Sequence, residues 1–88
     1  MYSSPVNIYN LNMMDQLIQF EKDLEAYLQR TYAASSEQDP IKRLHETELT
    51  VFGFVDNYLL ETTLIARDIE PSIQRVLDEF AKLKADHP

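Results

Sequence analysis

The chain has 88 residues, fifteen acidic and eight basic side chains giving a formal net charge of -7, and no cysteine. Such a balance repels nucleic acid and anionic lipid, which are bound by setting Lys and Arg against phosphates, and the absence of thiols excludes a disulfide framework and thiolate metal sites. One Gly and four Pro beside 44% hydrophobic residues leave little chemistry for hairpins and predict one small all-α domain, of a size at which self-association would add stability.

Residues 1–10 hold no helical period, and Pro5 after Ser3 and Ser4 predicts an extended N-terminal arm ahead of a single helical domain over 11–88. Asn10 or Asn12 is placed to cap the first helix, with Asp15 at the positive end of its dipole. Within about 11–35, Met13, Leu17, Phe20, Leu24 and Tyr27 recur at spacings of four and three, widened by Met14, Ile18, Leu28 and Tyr32. This is a seam for packing along another helix. Ala34 to Asp39, rich in polar residues, supplies the bend.

A second, longer helix is expected over about 40–69. Asp39 can accept from the free amides of its first turn, Pro40 suits the first helical position, and Pro71 is expected to end it near Asp68 to Glu70. Stepping round from Val51, the residues Ile41, Leu44, Phe52, Phe54, Val55, Tyr58, Leu59, Ile65, Ala66 and Ile69 share one broad sector, the expected core face. Leu49, Gly53, Leu60 and Leu64 fall on the other side, where a helix of a monomer should be polar. A second apolar stripe needs something to cover it, either the third helix of the same chain or a second copy or partner, and Gly53 would let another backbone approach closely. After Pro71, residues Ile73, Val76, Leu77, Phe80 and Leu83 predict a shorter helix over about 71–84. It is expected to fold back on the first two rather than run on as a kinked extension, because fold-back buries more apolar area. The predicted architecture is therefore a three-helix bundle built on a long antiparallel hairpin.

Four side chains interrupt the apolar pattern at its margins: Glu21, Glu25, His45 and Glu48. Three carboxylates and an imidazole near one level of a bundle are raw material for a metal site. The order His45-x-x-Glu48 is, however, the reverse of that in dinuclear carboxylate bundles and occurs once, so these groups are expected to turn to water or to Lys42 and Arg43, and no metal or other cofactor is expected. Nucleophilic catalysis and phosphate binding lack their residues: the only imidazoles are His45 and His87, and there is no Gly-rich turn. The Phe52-Gly53-Phe54 run reads as aromatic packing round a glycine, and terminal His87 as solvated.

The expected function is non-catalytic: a small acidic adaptor, chaperone or regulator that binds itself, as a homodimer, or a partner helix through Leu49, Gly53, Leu60 and Leu64. The rival is an acidic inhibitor, antitoxin-like, that blocks a basic nucleic-acid-binding protein surface. With no apolar run near the roughly 18 residues of a membrane span and no secretory signal pattern, a cytoplasmic location is expected, without membrane or direct nucleic-acid partners.

Overall fold

The computed structural model describes residues 13–86, so the expected arm over 1–10, the Asn10 or Asn12 cap and terminal His87 lie outside the described residues. Four helical segments, α1 (Met13–Ala34), α2 (Pro40–Leu49), α3 (Val51–Glu61) and α4 (Ala66–Asp86), form an all-α bundle of three members, since α2 and α3 are the two halves of one bent middle member. Among the described residues there is no strand, and no helix is long and apolar enough to cross a membrane.

The first crossover is built as the residues dictate. Asp39 sits in extended backbone (φ -77°, ψ 118°), its Oδ1 accepts from the Ile41 amide at 3.0 Å, and Pro40 occupies the first turn. The end of α1 has no basic residue of its own in its last turn. Arg43 of α2 supplies the charge, donating from Nε to the Tyr32 carbonyl at 2.7 Å and from a terminal nitrogen to Ala33 at 3.3 Å, while its guanidinium lies over the Tyr32 ring. A cation on the last carbonyls of a helix satisfies acceptors that have no intrahelical donor and complements the dipole. The hairpin is thereby pinned where it turns.

The middle member bends at Thr50 (φ -82°, ψ -10°), whose amide bonds to the Thr47 carbonyl three residues back at 3.2 Å and whose Oγ1 donates to the same oxygen at 2.7 Å. Threonine hydroxyls compete with the helical ladder in this way and bend helices. α3 then ends at Glu61, not near residue 69. Thr62 goes extended (φ -132°, ψ 176°), donates from Oγ1 to the Tyr58 carbonyl at 2.9 Å and accepts from the Leu64 amide, while Thr63 Oγ1 donates to Gln16 Oε1. Two adjacent threonines thus terminate the helix and tie the 62–65 turn to α1.

Pro71, expected to stop the middle helix, instead lies inside α4, which runs from Ala66 to Asp86 and not from about 71 to 84. The proline removes one bond to the carbonyl of Arg67, a residue exposed to water that can replace it. Against that loss stand Ile69 with no exposed surface and buried Ser72 on either side, which hold the segment helical through its packing. Fully burying one such aliphatic side chain is worth about 1.5–3 kcal/mol. Tertiary burial overrides the local signal.

The core follows a single line along α1, Phe20, Leu24, Leu28 and Tyr32, closed by Val51 from α3, Leu64 from the turn, and Ile69, Val76 and Phe80 from α4. α4 lies along α1 and α2 touches both. α3 reaches the core through rings: Phe20 meets Tyr58 edge-on at 5.0 Å between centroids, and Phe54 stacks tilted on Tyr27 at 4.7 Å. The Glu21–Arg75 ion pair joins α1 to α4 at the surface.

The core face of the middle member differs from the expected sector. Thr47 is only 1% exposed, its hydroxyl satisfied by the Arg43 carbonyl at 2.9 Å. Thr47 of α2 and Val51 of α3 are the buried positions of the middle member, and Tyr58 packs on Phe20. Ile41 and Phe52 point outward instead, and Ile65, in the turn, is also exposed. The most deeply buried of these positions is polar, which is why ranking positions by apolarity displaced it.

Candidate interaction face

Phe54 and Tyr58, held against Phe20, fix the rotation of α3 about its axis, and Thr47 and Val51 do the same across the bend. What is turned outward follows. Ile41 is 80% exposed, Leu49 59%, Phe52 73% and Leu60 84%. His45 and Asp56 are exposed as well, so α2 presents Ile41, His45 and Leu49 at spacings of four and α3 presents Phe52, Asp56 and Leu60 at spacings of four, one short outer row on each side of the bend at Thr50. Ile41, Lys42, His45, Glu46 and Leu49 line a shallow groove on the α2 side with Glu37.

Gly53 lies exposed on α3. A Cβ built there meets nothing within 4 Å, so no group of its own chain requires a glycine at this place. Glycine in a helix interior costs roughly 1 kcal/mol relative to alanine. The chain therefore carries a destabilising residue on the exposed side of α3, next to Phe52.

Leu64, placed by the sequence pattern on the same stripe as Leu49, Gly53 and Leu60, is instead a core residue at 4% exposure. The reason is the chain turn at 62–65: once the helix stops at Glu61, helical phase no longer says where residue 64 points. Ile41 and Phe52 take its place on the open face. They were legible as members of the outer rows once Leu49 and Leu60, rather than Val51, are taken as the origin.

The four marginal polar groups do not converge. Glu21 is engaged by Arg75, Glu25 lines a cleft between α1 and α4 with Gln29, Glu79, Phe80 and Leu83, and His45 stands on the outer face of α2. Glu48 is half-buried one turn along the same helix. Among the described residues no three His, Cys, Asp or Glu side chains are grouped to hold a metal ion.

On the inner side, the Tyr58 hydroxyl donates to Asp23 Oδ2 at 2.8 Å, and Asp23 Oδ1 also accepts from Gln19. Burial first, then the hydrogen bond and the negative charge of Asp23, push the Tyr58 phenol up from 10.0 to about 12. A folded-state value above the unfolded one means that this contribution to stability is intact below pH 10 and is lost as pH rises from 10 to about 12, where the unfolded chain has released its proton and the folded one has not. Phenolate absorbance during alkaline titration should show one late-titrating tyrosine that Tyr58→Phe removes, and the variant should lose less stability across that interval.

Comparison of the chain with family models, with curated proteins and with solved structures gave no match. Fold and site thus define the described residues as an all-α helical bundle whose middle member turns Ile41, Leu49, Phe52 and Leu60 outward, and the chain's function has to be argued from that face.

Proposed function

We propose that this protein is a non-catalytic protein–protein interaction module, a small acidic adaptor, chaperone or regulator of the cytoplasm, whose binding surface is the outer face of α2 and α3. The observation that supports the reading is the exposure of Ile41 and Leu49 on α2 and of Phe52 and Leu60 on α3. Several large apolar side chains exposed together on a small domain mark a contact site, whereas single exposed hydrophobes do not. An amphipathic partner segment laid on this face would bury these anchors. Gly53 contributes by letting that segment come close.

A photoreactive amino acid in place of Leu60, in the full chain within its native cells, should give covalent protein adducts on illumination. The same residue in place of Asp78, on the solvent side of α4, should give none. Equal adducts from both positions, or none from either, would remove the reading. Binding through an apolar row should also survive added salt, whereas an acidic blocker of a basic surface would lose affinity steeply.

A further inference from the structure

We infer that α3 is a strap that unfolds locally between two fixed ends, Val51 and Leu64, while the rest of the bundle stays folded, and that its opening uncovers Phe20 on α1. The inference concerns the inner side of α3 and stands whether or not anything docks on its outer side. Val51 and Leu64 are 3% and 4% exposed, and residues 52–63 between them include none that is buried. By contrast, α1 buries Phe20, Leu24, Leu28 and Tyr32, and α4 buries Ile69, Ser72, Val76 and Phe80. Phe54, Val55, Tyr58 and Leu59 rest on the core only half-covered. The middle of the strap is tied to α1 through the ends of long side chains, the Tyr58 ring on Phe20 and the Tyr58 hydroxyl on Asp23 at 2.8 Å. An element that buries few apolar groups opens at a lower free energy than the molecule as a whole.

Local signals leave the same helix weak. Its 11 residues fall short of the roughly 12–15 at which isolated helices become even marginal in water. Thr50 at its N-terminus makes no side-chain cap bond, because the hydroxyl turns back to the Thr47 carbonyl. The first turn has no acid and the last turn no base, and Glu61 sits at the end where a carboxylate opposes the dipole. Its neighbours are better provided: Asp39 caps α2, and α4 carries Asp68 in its first turn and Lys84 in its last. Gly53 weakens the interior of α3, and no close contact within the chain requires it. These deficits fall together on the segment that the core holds least. Phe20 has no exposed surface, and the rings that cover it from the α3 side are those of Phe54 and Tyr58. When the strap opens, Phe20 meets water, and Tyr27, which stacks on Phe54, is bared with it.

Amide hydrogen exchange of the full chain in urea below its unfolding transition tests the strap. Local opening exposes little surface, so the amides of residues 55–61 should exchange at rates nearly independent of urea, whereas those of Leu24 and Leu28 should accelerate steeply toward the transition. Phe80→Leu supplies the second arm. Phe80 packs on Tyr32, at the other end of the core from the Phe20–Tyr58 contact, and stays packed whether the strap is closed or open. The variant should therefore speed exchange at Leu24 and Leu28 at least about fivefold and leave residues 55–61 unchanged. Gly53→Ala should slow exchange over 55–61 about fivefold, since it strengthens the helix that has to unfold. Residues 55–61 that follow Leu24 and Leu28 both in urea and in Phe80→Leu would overturn the proposal, because α3 would then open only with the whole molecule. A rate over 55–61 that Gly53→Ala leaves unchanged would overturn it as well. Neither result bears on the adducts from position 60, so the strap and the docking face fail separately.

Discussion

Phe20→Ala is expected to cost about 3–5 kcal/mol, the range for emptying a fully buried aromatic site. Phe20 has no exposed surface and is the side chain on which α1 receives α3, through the edge-on Tyr58 ring and the tilted Phe54 ring at 6.4 Å. Aromatic pairs add about 0.5–1.5 kcal/mol beyond their buried area. A domain of this size sits near the low end of the 5–15 kcal/mol typical of native proteins, so this single truncation removes a large share of its stability. Urea unfolding followed by helical circular dichroism should show the midpoint collapse toward zero denaturant. Phe52→Ala, also an aromatic of the middle member, should shift the same curve by no more than about 0.5 kcal/mol, because Phe52 faces water. A small effect at Phe20, or equal effects at both, would mean that α3 is rotated differently from the arrangement described.

Leu64→Glu and Leu60→Glu are expected to separate completely, although the residues are four apart and a continuous helix would put both on one face. Leu64 is in the core, and a carboxylate there loses its water, a loss of about 3–5 kcal/mol that should leave the chain largely unfolded. Leu60 is the most exposed of the large hydrophobes, so its replacement should leave the melting temperature within the range of ordinary surface changes. What Leu60→Glu should abolish is association through the outer row. Thermal melts of the two variants beside wild type decide the matter. A folded Leu64→Glu chain would return Leu64 to the surface stripe and the middle helix to its unbroken form.

These contrasts also show what the residues told in advance. The seam of α1 was readable because Leu17, Phe20, Leu24 and Tyr27 repeat without interruption, and the first turn was readable because Asp39-Pro40 is a start signal with one meaning. The second turn was not. Pro71 is the stronger local punctuation, but its missing donor matters little beside exposed Arg67, whereas Thr62 and Thr63 end the helix through side-chain hydrogen bonds that a scan for Gly and Pro passes over. Leu64 was misplaced for that reason alone. Ile41 and Phe52 were assigned to the core because the sector was drawn broadly round Val51 from apolar residues alone, and Thr47, which is buried with its hydroxyl on the Arg43 carbonyl, gives no apolar signal to narrow it. A buried threonine with its own helix carbonyl as acceptor is apolar in effect, and a single sequence does not distinguish it from a solvated one. The grouping of Glu21, Glu25, His45 and Glu48 was judged by level along the hairpin, but direction around each helix decides, and Arg75, distant in sequence, takes Glu21.

The central claim is that the middle member has an inner face that builds the core and an outer face that receives another protein chain. Backbone amide resonances of the isotope-labelled full chain, followed from dilute to concentrated solution and then with an extract of its native cells added, test it residue by residue. Shifts at either step should centre on Leu49, Phe52 and Gly53, extend toward Ile41 and Leu60, and spare the solvent side of α4 at Gln74 and Asp78. Shifts centred on α4 with residues 41–60 unmoved would contradict the account, as would spectra that change at neither step.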